Sequence, residues 1–488
     1  MIESQINYSK LQAVSRQMGE TLQRISRSPL VSQDRTFATA IFTSELSLAV
    51  QHQYEPEHLF AVKESVNHLF EYFSFDISDG DILLTADPYN GGTKGQTLTM
   101  AAPLFDQGEL VLFPVLRVQM MDLAGEYPGG FNPDAFEVWQ ENIRITPIKL
   151  YKQGLLQRDV LRFFLANSRV ESVYEAELQS MYACLRAAQE QLLVLIKQYR
   201  NQLDISISEM QHYSNRRVVE QINQLPKDNM SAELLFKSNN KDLSIQVSVS
   251  PTEDKLKIDF DGTIEQVALP VNATLPVTKA FAVWPILAPI AEEITINQGI
   301  LDAFEISAPK GSLLHPKFPA SVGFNTAVTG HFISEVITTA LRNASASETL
   351  FSEIHGPGPQ AILFPPFGQN KETEPLFLVP GYPESKQGFG PSGLFGDRKL
   401  VSAEELEFNY SFKMIKREKE ANQMTIRLVN EGDLYQVVTI IPEKIDHSLG
   451  EIRIMSKGDQ YALNQSTAGI SFHNGDEIEF VYEMGGNQ

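Results

Sequence analysis

The sequence predicts a large mixed α/β chain of the α+β kind, with a long central helix and a β-rich second half. Three observations carry this. Residues 172–200 place Leu178, Met181, Leu185, Ala188, Leu192, Leu195 and Tyr199 at alternating steps of three and four, the seam of an amphipathic helix. DLSIQVSVS alternates Leu243, Ile245 and Val247, and KLKIDF alternates Leu256, Ile258 and Phe260, the period of half-buried strands. ISFHNGDEIEFVY sets Asn474-Gly475 between two alternating runs, which reads as a hairpin because its turn needs positive φ at both central residues.

The other elements follow in chain order. Leu11, Val14, Met18, Leu22 and Ile25 recur at helical spacing over residues 8–26. From about residue 80 to 120 short apolar runs, DILLTA and LVLFPVLRV, read as buried strands flanking a DPYNGG loop. The seam of 172–200 can pack on the chain's own core or on a partner helix, and its own core is the default. LDISISEMQHYSNRRVVEQINQLPKD reads as a further helix ending at Pro226, and 325–343 returns to a helical period. Residues 355–398, with HGPGPQ and GFGPSGLFGD, read as an irregular segment. The chain therefore divides into a signature region (1–170), a helical segment (171–230), a β-rich then helical region (231–355), a loop-rich segment (356–400) and a C-terminal β region (401–488).

Composition narrows the function. At 488 residues, 42% hydrophobic and 21% charged, the chain is long enough for a large core and ordinary in composition. A net charge of -21 argues against nucleic acid and anionic membranes as partners, both of which attract clustered Lys and Arg. Cys184 is the single cysteine and lies in an apolar helical context, so it reads as a buried structural thiol. No apolar signal segment opens the sequence and no run reaches the roughly 18 apolar residues of a membrane span, which leads to the expectation of a cytoplasmic protein.

Chemistry concentrates in the loop. Pro88 biases Asp87 to an extended conformation, while Asn90, Gly91 and Gly92 permit a tight turn that can aim a carboxylate or hold an anion. Gly91-Gly92-Thr93-Lys94 lacks the spacing of a phosphate-binding Walker loop, and no dinucleotide fingerprint, nucleophile elbow or zinc-binding His-Glu-x-x-His occurs.

Six segments in one order give a family resemblance. GDILLTADPYNGGT, EVWQENIRITPIKLY, VLRFFLANSR, LPVNATLPVT, GSLLHPKFPASVG and STAGISFHNGDEIEF resemble the hydantoinase B/oxoprolinase family. That family includes the B-type subunits of ATP-dependent N-methylhydantoinases and 5-oxoprolinases and is related to the large subunits of acetone and acetophenone carboxylases. The resemblance implies a large multi-layer fold, and a separate hydantoinase A-type ATPase subunit or a B-type paralogue as partner in a hetero-oligomer. ATP and magnesium would be bound by that partner, with no cofactor on this chain. The chemistry implied is opening of a cyclic amide or carboxylation of a ketone, on a small-molecule substrate.

The departures from the family pattern fall on its metal ligands. In the family, Gly-Gly-Thr is followed by His-x-x-Asp, and later by His-His-x-Asp. Here Lys94 and Thr97 stand at the first pair, and Arg117-Val118-Gln119-Met120-Met121-Asp122 at the second. Protonated Lys cannot ligate, and Thr and Gln are poor replacements for imidazole and carboxylate. Upstream, His-x-Pro-x-His-Leu-Gly becomes Tyr54-Glu55-Pro56-Glu57-His58-Leu59-Phe60. The family's glycine-rich tail is replaced by MGGNQ, and the stretch near 380–430 is shortened. The expectation is no metal at the family position.

The residues that remain carry two readings each. Asp87, Asp122 and His58 are catalytic candidates, or respectively a turn cap, a salt-bridged group and a core histidine. Lys94 and Arg117, with Gly91 and Gly92, are candidates for binding a substrate carboxylate, carbamate or phosphate, Lys94 as a point charge where the metal would stand. Glu137, Glu141 and Arg144 would form an ion-paired face if helical. Three functions follow: an active B-type subunit, a non-catalytic scaffold or regulatory paralogue, and a small-anion-binding module.

Overall fold

The structure is a computed structural model that describes residues 2–344, 358–364, 377–379, 403–420, 423–432, 434–445 and 448–483. It begins with α1 (Ile2–Ile25), which buries Leu11, Val14, Met18 and Leu22, followed by the short α2 (Pro29–Ser32). Next come β1 (Phe37–Thr43), β2 (Leu48–Gln53), α3 (His58–Tyr72), β3 (Ile82–Ala86) and β4 (Thr97–Ala101). β5 (Leu104–Asp106), β6 (Glu109–Gln119), β7 (Ile145–Lys152), β8 (Leu155–Leu156), α4 (Arg158–Ala166) and α5 (Glu171–Ile222) complete the first half.

These strands make one antiparallel sheet in the order β2-β1-β6-β4-β3-β7-β8, with β5 on β6. Period-two alternation divides its side chains. Phe37, Ile41, Leu84, Met100, Leu116 and Val118 face α1 and α5, whereas Ala38, Ala40, Phe42, Leu83, Phe113 and Val115 face α3. The predicted strands DILLTA and LVLFPVLRV correspond to β3 and β6.

The long helix differs from the reading in two pieces. α5 runs 52 residues, about 78 Å at 1.5 Å per residue, with one non-helical residue at Tyr199 (φ -136°, ψ 15°). Leu178, Met181, Leu185, Ala188 and Leu192 are buried against α1 and the sheet, so the seam serves the chain's own core. Cys184 is buried in that seam and free, and burial lifts its thiol to about 12.

A second sheet joins β9 (Met230–Ser238), β10 (Lys241–Pro251), β11 (Leu256–Asp259) and β12 (Phe304–Ser307), with Glu443–Lys444 on its edge and only β11–β12 parallel. Leu243, Ile245, Val247, Leu256, Ile258 and Phe260 are all buried. α6 (Leu275–Leu287), α7 (Gln298–Leu301) and α8 (Gly330–Ala344) belong to this half. α3, α6 and α8 lie between the two sheets and share one core with both. A five-residue π turn, Asn325–Thr329, precedes α8, where the sequence read one continuous helix.

The C-terminal part holds a four-stranded and a five-stranded sheet over a core of Phe412, Ile426, Leu428, Ile452, Ile478 and Phe480. Its expected hairpin is not one. Thr467–Phe472 pairs with Tyr435–Ile440, while Glu477–Glu483 pairs with Gln423–Asn430 and Gly450–Ser456. Only Gly475 of the turn has positive φ, and its N–H donates to the Asn430 carbonyl, 2.7 Å. Asn474-Gly475 is thus a corner between two sheets. Most of the loop-rich stretch 355–398, and the MGGNQ tail beyond Glu483, lie outside the described residues. Among the described residues no helix is long and apolar enough to cross a membrane.

Candidate functional site

The signature loop leaves β3 at Asp87 and returns at β4. The Tyr89 N–H donates to Asp87 Oδ1 (3.0 Å), Asn90 Nδ2 to Asp87 Oδ2 (2.6 Å), and the Asn90 and Gly92 N–H groups to the Asp87 carbonyl. Arg144 Nε lies 3.1 Å from Asp87 Oδ2. Asp87 therefore caps its own turn and pairs with Arg144, and the loop amides point at Asp87 instead of into a cleft.

Gly91 is required by close approach. Its φ is +85°, and a Cβ there would lie 2.3 Å from the Glu64 carbonyl carbon of α3. At Gly92 a Cβ would meet the Asp87 carbonyl oxygen at 2.4 Å. The loop carbonyls are held from the second half: Thr274 Oγ1 donates to Gly92 O (3.0 Å) and Asn325 Nδ2 to Thr93 O (2.7 Å). Gly91 O accepts from Ser65 Oγ of α3. The glycines fasten the loop between α3 and the π turn.

Asp122 is equally committed. Its carboxylate accepts from the backbone N–H groups of Gly129 (3.0 Å) and Arg169 (2.8 Å) and pairs with the Arg169 guanidinium at 2.8 Å. It closes the 122–130 loop onto the segment leading into α5. Both aspartates thus have structural partners on every side.

What remains is a buried group between the N-terminus of α3 and the sheet. Thr97 and Gln119 pair across β4 and β6, and Thr99 and Arg117 form a neighbouring rung. Lys94, 7% exposed, places Nζ 3.4 Å from Glu57 Oε2 and donates to Thr326 Oγ1 at 3.1 Å. Glu57 is 1% exposed, and neither of its oxygens has a hydrogen-bond donor, so the Lys94 contact is ionic. Burial pushes the Glu57 carboxyl up, but the Lys94 ammonium and, with smaller effect, Arg117 outweigh this and hold it below its ordinary value.

His58 beside it is fully buried with no partner on either ring nitrogen, and Nε2 lies 4.0 Å from Glu57 Oε1. Burial drives its pKa down to about 3, so the imidazole is neutral at physiological pH. Arg117 is held by hydroxyls: Nη1 donates to Thr99 (2.7 Å) and Ser65 (3.1 Å), and Nη2 to Thr93 (2.9 Å). Burial lowers it to about 10, leaving it charged. Its only hydrogen-bonding atom without a partner is Nε.

The expected ion-paired face of Glu137, Glu141 and Arg144 does not form, because only Val138–Gln140 makes a single 3₁₀ turn. Glu137 caps that turn, Arg144 turns to Asp87, and Glu141 accepts from the Val322 and Gly323 N–H groups at 2.9 and 2.6 Å. Burial raises the Glu141 carboxyl to about 8. It ties the EVWQEN segment to the 311–323 motif of the second half.

Of the candidate residues, the structure brings Lys94, His58 and Arg117 together with Thr97 and sends Asp87 and Asp122 to separate structural tasks. Glu57 was missed. A buried Lys at a ligand position needs a counter-charge, and an acid beside His58 was the signal available. At the first of the positions where the family pattern has a ligand, Lys94 brings a positive charge and pairs with Glu57.

Comparison with known proteins agrees with this architecture. The hydantoinase B/oxoprolinase family profile matches residues 1–361. An uncharacterised protein of Methanocaldococcus jannaschii is 28% identical over 334 residues, 67% of this chain and 59% of that protein. The beta subunit of the Pseudomonas jessenii caprolactamase is 24% identical over 413 residues, 82% of this chain and 71% of that one. The B-type subunit of a putative D-/L-hydantoinase from a Pseudomonas species is 26% identical over 70% of this chain and 61% of its own.

Two solved structures share the fold. The crystal structure of ATP-dependent caprolactamase from Pseudomonas jessenii superposes with a TM-score of 0.84 at 18% identity, over 99% of this chain and 90% of that one. Nucleotide-free acetone carboxylase gives 0.82 at 12% identity, over 99% and 75%. The chain belongs to the hydantoinase B/oxoprolinase family.

Proposed function

We propose that the chain is a B-type subunit of an ATP-dependent amidohydrolase or ketone carboxylase complex, working with a separate A-type ATPase subunit and without a metal of its own. The observation that carries the metal-free reading is the pairing of Lys94, at a ligand position, with Glu57. Membership of a family whose relatives include the beta subunit of a caprolactamase and the B-type subunit of a putative hydantoinase supports the assembly. In this reading Lys94 supplies positive charge to the pocket as an ammonium, neutral His58 stands beside it, and nucleotide chemistry belongs to the partner.

The same pair favours a second reading, a scaffold or regulatory paralogue that supports an active B-type chain. The two signature aspartates are consumed by structure, and Glu57 already neutralises Lys94. Co-expression separates the two. The chain with an ATPase subunit alone should open a lactam or hydantoin, or carboxylate a ketone, with ATP turnover if it is catalytic. Activity that appears only when an intact B-type paralogue is added assigns the scaffold role. Failure to co-purify with either partner would overturn both.

A further inference from the structure

The mismatch between this pocket and a metal leads to a further site. Glu55, Glu57 and His58 each place one ligand atom within 4.8 Å of the others. Two carboxylates and an imidazole are a donor set suited to zinc or manganese, with positions left for water. A second observation points the same way. His58 is fully buried, yet neither ring nitrogen has a hydrogen-bond partner, although buried polar atoms are nearly always satisfied. The Thr97 hydroxyl is likewise buried without a partner.

What keeps a divalent ion out is Lys94. Its ammonium stands 3.4 Å from Glu57 Oε2, so an ion ligated by that carboxylate would be forced against a like charge in a buried setting. We propose that Lys94 is a tethered monocation barring metal from a cation site made by Glu55, Glu57 and His58, and that this site takes a divalent transition ion once the ammonium is removed. These ligands differ from the family's positions at Lys94, Thr97 and Gln119, and the proposal rests on side-chain geometry, whatever reaction the chain serves.

The test compares the full-length protein with Lys94→Ala and Lys94→Gln, each incubated with ZnCl2, dialysed, and assayed for bound metal and thermal midpoint. The wild type should retain only trace zinc. Lys94→Ala should retain about one zinc per chain, with a midpoint that falls without zinc and recovers with it. Lys94→Gln, which gives Glu57 a neutral donor, guards against misfolding of the first variant. Adding His58→Ala or Glu57→Gln to either should abolish retention.

A folded Lys94 variant that stays metal-free would overturn the proposal and leave the metal-free reading of the native pocket intact. Insolubility of both variants, unrelieved by refolding with ZnCl2, would also overturn it, since metal could not then replace the ammonium. Stoichiometric zinc on the wild type, lost with His58→Ala, would overturn both the barrier and that metal-free reading.

Discussion

Replacing Glu57 by Gln tests the buried pair by stability alone. The two charges are 3.4 Å apart, with side chains 9% and 1% exposed for Lys94 and Glu57. At an effective dielectric of about 20 their attraction is about 5 kcal/mol, opposed by the desolvation of both ions. Removing one partner leaves the other charge buried and uncompensated, so Glu57→Gln should cost about 3–4 kcal/mol, and Lys94→Met a similar amount. The double variant removes both charges and should cost much less than the sum, giving a coupling of about 2–3 kcal/mol in a urea-denaturation cycle. Single losses below about 1 kcal/mol, or additive ones, would refute the pairing.

Three further outcomes follow from the same geometry. His58 has a folded pKa of about 3 against an ordinary 6.5, so the unfolded chain takes up the proton first; its contribution is full above pH 6.5 and is lost as pH falls toward 3. His58→Gln should therefore lose less stability than the wild type between about pH 7 and pH 5 in urea titrations. Glu141 is raised to about 8 from 4.5, so its contribution is full below pH 4.5 and is lost as pH rises from there through 8; Glu141→Gln should flatten a thermal-midpoint profile between about pH 4.5 and pH 8. Gly91→Ala combines φ of +85° with a backbone clash at 2.3 Å and should cost more than about 2 kcal/mol, read as loss of soluble protein or a lowered midpoint.

The legible part of the sequence was what short-range periodicity records. The α5 seam, the alternation in β10 and β11, and the strands β3 and β6 appear where their spacing placed them, although it is β4, not β6, that follows the signature loop. Partner choice was not legible. Asn474-Gly475 looks like a hairpin because both neighbouring runs alternate, yet Asn430 draws the turn and the runs enter different sheets. Glu141 shows the same limit: local spacing offered a helical face, but amides from residues 322 and 323 claimed the carboxylate across the fold. In the site, the residue types at 94, 97 and 119 were legible as departures from the family's ligand pattern. The replacement interaction involved Glu57, 37 positions upstream of Lys94, and only folding α3 against the loop brings the two together.

The central proposal is that the Lys94–Glu57 ion pair stands in the pocket without a metal beside it. Transition-metal analysis of the natively purified, full-length protein tests this most directly, with Thr97→Ala and Gln119→Ala variants measured in parallel. Substoichiometric metal is expected in all three. One equivalent of zinc or manganese on the native chain, reduced by either substitution, would contradict it.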